Sequence, residues 1–207
     1  TIIQHPDVKR MLLLMKSKTE ASRALVFFVT GQLDISKKHP SSDVRSKAFS
    51  IVDLLTPVVK AWCSDNGIEI ANTGLQVHGG IGFIEESGAP QHLRDARISA
   101  IYEGTNGIQA NDLVGRKIGR DGGKAIQAFI QHIRPTLDQL SNDPSDDFIE
   151  MHIQLKRAIA ALSIASSWIV ETFPTQPTHV AAGAVSYLEL LGRTTGGWLL
   201  ASSALIA

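Results

Sequence analysis

A single cysteine, Cys63, stands among 207 residues. No internal disulfide can staple the chain, and the composition suits a reducing compartment, either a bacterial cytoplasm or a mitochondrial matrix. Cys63 sits in an apolar stretch with Val58, Val59 and Trp62, where an inert buried thiol is expected. Charge of one sign is also missing: 20 basic against 20 acidic residues leave no net field to draw the chain to nucleic acid or an anionic membrane. No uninterrupted run of 18 or more apolar residues occurs, so no membrane span is expected. The opening Thr1-Ile2-Ile3-Gln4-His5-Pro6-Asp7 has neither the basic flank nor the apolar core of a signal peptide. Strand-like alternation of apolar and polar residues is absent, as are repeats and low-complexity tracts. The seven histidines form no i, i+4 pair and lie near no cysteine cluster, so no metal site is expected.

What remains is helical periodicity. Val8, Leu12, Met15, Thr19, Ser22, Val26 and Val29 form a first stripe, and Pro6 and Asp7 suit a first turn, predicting a helix from Pro6 to Leu33. A polar turn, Lys37 to Ser42, offers a serine cap for a second stripe of Val44, Ala48, Ile51, Leu55, Val58 and Trp62. Pro57 lies inside that stripe and removes one backbone bond, which predicts a bend or an opened turn. A separate third helix is expected from Ile68 to Val77, a fourth from Ala89 to Ala96, then an extended link from Ile98 to Tyr102. The fifth should run from Thr105 to Ile118, capped by Thr105 or Asn106 and closed by Gly119. Beyond Gly122 come a stripe of Ile126, Phe129, Ile130, Ile133, Leu137 and Leu140 and an apolar run from Phe148 to Phe173. A last helix is expected from Thr178, with Gly196-Gly197 as its weak point. The fold class is therefore all-α, with short turns that favour an antiparallel bundle.

Two short elements stand out from this pattern. Ile101-Tyr102-Glu103-Gly104-Thr105-Asn106-Gly107-Ile108-Gln109 sets a carboxylate on a glycine-relieved loop before a helix. Gln76-Val77-His78-Gly79-Gly80-Ile81-Gly82-Phe83 has three glycines within four positions, which lets another molecule lie against bare backbone. Taken singly each has an ordinary explanation: a lone glutamate is usually solvated or helps start a helix, and a Gly-Gly-x-Gly run is usually a turn. The stretch between them changes the weighing. Glu85-Glu86-Ser87-Gly88 is followed by Gln91-His92-Leu93-Arg94-Asp95-Ala96-Arg97 and then by the Tyr-Glu-Gly-Thr segment.

In order and spacing, these residues resemble the C-terminal helical domain of the flavin-dependent acyl-CoA dehydrogenases. The resemblance implies an antiparallel four-helix bundle over residues 1–120. A helical extension of the kind found in larger family members would follow over 121–207, and two further domains would precede Thr1. It implies an enzyme that desaturates an acyl-CoA thioester at the α,β-position, with Glu103 as base, its N–H near the thioester oxygen, and FAD as hydride acceptor. Tyr102 and Gly104 would line the substrate and partly desolvate Glu103. Gln76, Val77, His78, Gly79 and Gly80 would meet the FAD pyrophosphate of a neighbouring subunit, and Thr105, Asn106 and Gly107 would touch FAD near its ring. His78 stands where relatives often carry an apolar residue, and Phe83 where tyrosine is frequent. Arg94 and Asp95 read best as an ion pair fixing the fourth helix against the loop.

The implied partners are an acyl-CoA substrate, an electron acceptor such as an electron-transfer flavoprotein, and further copies of the chain in a homodimer or dimer of dimers. Two other readings share these residues. One is a relative that retains FAD in a DNA-alkylation-response role, and the other is a helical oligomerisation fragment inactive in isolation.

Overall fold

The computed structural model describes all 207 residues, and they form helices without strands. Helix α1 (Pro6–Lys38) begins with proline in its first turn and Asp7 beside it, and ends with Lys37 and Lys38 near its carbonyl terminus, as the helix dipole favours. It runs five residues past the expected Leu33, with Asp34 and Lys38 paired across one turn at 3.2 Å. Its buried residues are Met11, Ala21, Leu25 and Val29, whereas Thr19 and Val26 face outward. The true stripe is thus rotated by about one residue from the expected one.

Arg45 closes the following turn by donating to the His39 carbonyl at 2.7 Å and the Pro40 carbonyl at 3.0 Å. The Ser41 hydroxyl then caps α2 (Ser42–His78) by accepting from the Val44 N–H.

Helix α2 corrects the sequence reading: it continues through Pro57 and through Asp65-Asn66-Gly67, so the separate helix expected from Ile68 does not exist. Packing against α1 supplies the reason. Asn66 is buried and donates to the Ser22 hydroxyl on α1 at 3.3 Å, and Lys18 of α1 pairs with Glu69 one turn further on. Tertiary contacts on both sides of Gly67 outweigh its weak helix propensity. Cys63 lies half-buried on the same face, where burial pushes its thiol above the ordinary range, in keeping with the inert role expected.

Short segments follow: α3 (Gly80–Phe83), α4 (Ala89–Ile98) and α5 (Asn106–Asp112). The expected fifth helix is interrupted. After Asp112 the backbone widens into a π-helical stretch, Leu113–Gly119, which turns Leu113, Val114, Lys117 and Ile118 all into the interior. Buried Lys117 pairs there with Asp53 of α2. Then come α6 (Lys124–Ser141), α7 (Asp146–Thr172), α8 (Pro177–Ala182) and α9 (Ala184–Ala204). The last break falls at Gly183. The Gly196-Gly197 pair, expected to weaken the helix, lies in unbroken α9.

One hydrophobic core of 28 buried residues joins α1, α2, α5 and the π-helical stretch to α6, α7, α8 and α9, so it crosses the expected boundary at 120/121. Trp198 of α9 meets Phe28 of α1 and Phe129 of α6 edge-on at 5.1 and 5.9 Å, and donates its N–H to the Thr136 hydroxyl at 2.8 Å. Helix α7 is long and apolar enough to cross a membrane by length and composition, with a mean hydropathy of 1.2 in its most apolar window, which amends the expectation drawn from uninterrupted runs. In this fold it turns Leu155, Ile159, Leu162, Ser166 and Ile169 inward and lies against α6 and α9.

A buried polar pair joins α7 to α9. The Ser166 hydroxyl donates to the Leu162 carbonyl at 2.7 Å and meets the Tyr187 hydroxyl at 2.7 Å, while burial pushes the Tyr187 phenol far above its ordinary value. Tyr187→Phe leaves Ser166 satisfied by Leu162. It should therefore cost only about 1 kcal/mol, the net worth of one hydrogen bond, in urea unfolding. A loss several-fold larger would show that the pair does more than satisfy itself.

Candidate active site

The loop between α4 and α5 is wound up rather than extended. Ser99, Ile101 and Tyr102 all donate main-chain bonds back into the end of α4, at 3.2, 2.9 and 3.1 Å. The expected extended link from Ile98 to Tyr102 is therefore a compact turn. Its product is Glu103 at φ 54°, the one residue other than glycine with positive φ, followed by Gly104 at φ 87°. Such a backbone costs a side-chain-bearing residue on the order of 1–3 kcal/mol and persists only where the surroundings impose it.

The surroundings here are polar. Lys60 of α2 donates to the Gly104 carbonyl at 2.7 Å and to Asn106 Oδ1 at 2.8 Å. The Asn106 main-chain N–H spans the loop base to the Ala100 carbonyl at 3.1 Å. Its side-chain amide reaches Asp65 Oδ1 at 2.7 Å, the Ser64 hydroxyl at 2.9 Å and the Ala61 carbonyl at 3.2 Å. Gln109 holds the Glu103 carbonyl from the other side at 3.5 Å. The Thr105 hydroxyl caps α5 by accepting from the Ile108 N–H at 3.3 Å.

Against this fixed backbone, two groups of Glu103 are left free: its carboxylate and its main-chain N–H take part in no hydrogen bond or ion pair within the chain.

Two expectations change here. Glu103 and Tyr102 are both exposed, so Tyr102 and Gly104 do not desolvate the carboxylate within this chain. The Asn106 side-chain amide is bonded to α2 within this chain. Arg94 grips Glu85 through both guanidinium nitrogens, one at 3.0 Å, on the exposed surface. Asp95 is not its partner.

The glycine loop forms a second, distant locus. Gly79 ends α2 at φ 64° and ψ −147°, a conformation essentially restricted to glycine, and a Cβ added at Gly79 or Gly80 would enter open space. Gln76, His78, Gly79 and Gly80 are exposed and Val77 is half-buried. His78 Nδ1 is bonded to the Gly74 carbonyl of its own helix at 2.8 Å. Lys60 and His78 are 18 residues apart on α2, about 27 Å at the rise of an α-helix. The Glu103 loop and the glycine loop of one chain therefore do not meet.

The larger concavities lie elsewhere too: about 550 Å³ between α2 and α6, about 450 Å³ between α7 and α9, and about 410 Å³ between α2 and α4 reaching His78. None is lined by Glu103, which stands on an open face with Ile98, Ile101, Tyr102 and Ile108 also exposed. Lys60, Ser64, Asp65 and Gln109 were not singled out from sequence. The available signal was a lysine interrupting the apolar run Val58-Val59-Lys60-Ala61-Trp62.

Comparison with known proteins matches residues 1–118 to the family model "Acyl-CoA dehydrogenase, C-terminal domain". This chain belongs to the acyl-CoA dehydrogenase family. Residues 124–207 match a second model, "Acetyl-CoA dehydrogenase C-terminal like". Among curated relatives, the 3-methylmercaptopropionyl-CoA dehydrogenase of Ruegeria pomeroyi is 44% identical over the whole chain, which covers 35% of that protein. A butyryl-CoA dehydrogenase of Syntrophomonas wolfei is 33% identical over 87% of the chain and 31% of its own length. The broad-specificity linear acyl-CoA dehydrogenase FadE5 of Mycobacterium tuberculosis is 31% identical over the whole chain and 35% of its own length. The chain thus spans about a third of the length of these relatives. The crystal structure of Caenorhabditis elegans ACDH-11 with C11-CoA shares the fold at a TM-score of 0.81 and 23% identity, over 97% of this chain and 33% of that one.

Proposed function

We propose that this chain is the C-terminal part of a FAD-dependent acyl-CoA dehydrogenase in which Glu103 removes the α-proton of an acyl-CoA thioester. The observation that carries the reading is a strained residue, Glu103, whose backbone is fastened from two sides while its carboxylate and N–H stay free. A side chain held at a cost and used for nothing inside the chain is available to a substrate. An α-proton beside a thioester is weakly acidic, so its removal needs a base at the α-carbon and a donor where charge develops on the carbonyl oxygen. The carboxylate can take the proton, and the unpaired N–H can face the oxygen. The names of the three relatives have one chemical feature in common, an acyl-CoA thioester.

The residues fit FAD in part. Bare backbone at Gly79 and Gly80 can lie against an anion such as a pyrophosphate, and Gln76 is exposed beside it, but the Asn106 side chain is committed elsewhere. FAD, when bound, supplies the acceptor for the β-hydride. The separation of about 27 Å along α2 between the two loops supports a flavin whose pyrophosphate meets the glycine loop of one protomer while its ring serves the Glu103 of another. This favours a homodimer or dimer of dimers. Electrons would then leave to an acceptor such as an electron-transfer flavoprotein.

Anaerobic addition of an acyl-CoA panel to the purified full-length enzyme tests the proposal: at least one thioester should bleach the flavin and yield the enoyl-CoA. A flavin left oxidised by every member would overturn it. The 207-residue chain alone offers one wall of each site, too little to offset the cost of immobilising a cofactor. It should purify helical, colourless and self-associated, its exposed Ile81, Phe83 and Phe27 seeking cover.

A further inference from the structure

We infer that Lys60 is a positioning residue for Glu103: from α2 its ammonium holds the Gly104 carbonyl and the Asn106 side chain, and so sets the direction in which the Glu103 carboxylate and N–H leave the loop. The inference rests on reading Glu103 as the base. Lys60 is half-buried within an apolar turn of α2 and takes part in none of the chain's ion pairs. Its charge is instead spent on two neutral acceptors of the loop, Gly104 O at 2.7 Å and Asn106 Oδ1 at 2.8 Å. Hydrogen bonds from an ionised donor are roughly twice as strong as neutral ones, and these two grip the residue after Glu103 and the first residue of α5 together.

No packing does this job. Tyr102, Glu103 and Thr105 are exposed, and beside the Lys60 bond to Gly104 the Glu103 carbonyl itself is held by the long 3.5 Å bond from Gln109. A loop that carries a side chain at positive φ relaxes toward negative φ once released, and that rotation turns the carboxylate and N–H away together. Asn106 transmits the same constraint deeper, because its amide is fixed in turn by Asp65 and Ser64.

The test uses full-length holoenzyme. Lys60→Met keeps the stem and removes the donor. Flavin content and acyl-CoA affinity should stay within about two-fold of wild type and the melting temperature within a few degrees, while single-turnover flavin reduction falls roughly ten- to hundred-fold, as for a misplaced reacting group. Lys60→Arg, which retains a charged donor, should recover most of that rate. On a Glu103→Gln background, Lys60→Met should add no further loss, because the two act as one unit. Lys60→Gln carries the same comparison if the methionine variant does not fold. A normal rate in Lys60→Met beside an inactive Glu103→Gln overturns the role of Lys60 and leaves the base reading intact, whereas an active Glu103→Gln sinks the base reading itself. Flavin loss or a lower melting temperature that tracks the rate, without rescue by arginine, would mark Lys60 as structural and also overturn the proposal.

Discussion

Glu103→Gln in the full-length enzyme should lower α-proton exchange and flavin reduction by about 10²–10⁴-fold or more, the usual contribution of a positioned base. The protein should remain folded and yellow. The expectation of normal stability is specific: the carboxylate makes no bond inside the chain, so an isosteric amide removes no stabilising interaction and the change should fall within about 0.5 kcal/mol. Stopped-flow flavin reduction, deuterium exchange at the α-carbon and thermal melting separate these effects. A variant that turns over at near the normal rate would show that another group takes the proton. Glu103→Gly adds a second check, since it removes the chemistry and the backbone strain together and should be no less stable than wild type.

The fold class was legible because periodicity survives where one face is buried. Ala48, Leu55, Val58 and Trp62 on α2, and Ile126, Phe129, Ile130, Ile133 and Leu140 on α6, are interior residues that the stripes single out. The misplacements have identifiable physical causes. The stripe on α1 was offset because both neighbouring rows are apolar there: Leu25 is buried whereas Val26 and Phe27 are exposed, and composition does not separate the face covered within this chain from one left open. The merging of two expected helices into α2 depended on Asn66, which in sequence looks like a breaker and in the fold is a buried donor to α1. The π-helical stretch was invisible because Leu113, Val114, Lys117 and Ile118 also fit an ordinary helix, and only the demand to bury all four widens it.

The candidate site shows the same division. Glu103 and the glycine loop were readable because their residue types are unusual and lie close in sequence. The clamp that holds Glu103 was not, because Lys60 precedes it by more than forty residues, and a lysine at a helical position ordinarily reads as solvated. The resemblance places Asn106 beside FAD, and the bonds from its amide to α2 were not legible from the motif. Adjacency in sequence says which residues share a loop. It does not say which way each one faces.

Alanine substitution in α9 should have opposite signs at adjacent positions. Helix propensity alone makes every interior Gly→Ala exchange stabilising, by up to about 1 kcal/mol. Trp62, nearly fully buried, lies across this helix, and a Cβ added at Gly192 would come within 2.5 Å of its ring. At Gly196 the added atom would meet the same ring at 2.8 Å and Ala21 of α1 at 3.1 Å, so the two glycines, one turn apart, form the slot that lets α1, α2 and α9 close. Gly192→Ala should therefore destabilise by about 1–3 kcal/mol or more, the cost of overpacking a filled core, and Gly196→Ala by a comparable or smaller amount. Gly197 is exposed and an added Cβ there meets nothing within 4 Å, so Gly197→Ala should stabilise. Urea unfolding of the three single variants decides between propensity and packing. If Gly192→Ala is as stable as Gly197→Ala, then Trp62 does not sit against α9 as described, and the continuity of the core between the two halves of the chain would have to be drawn differently.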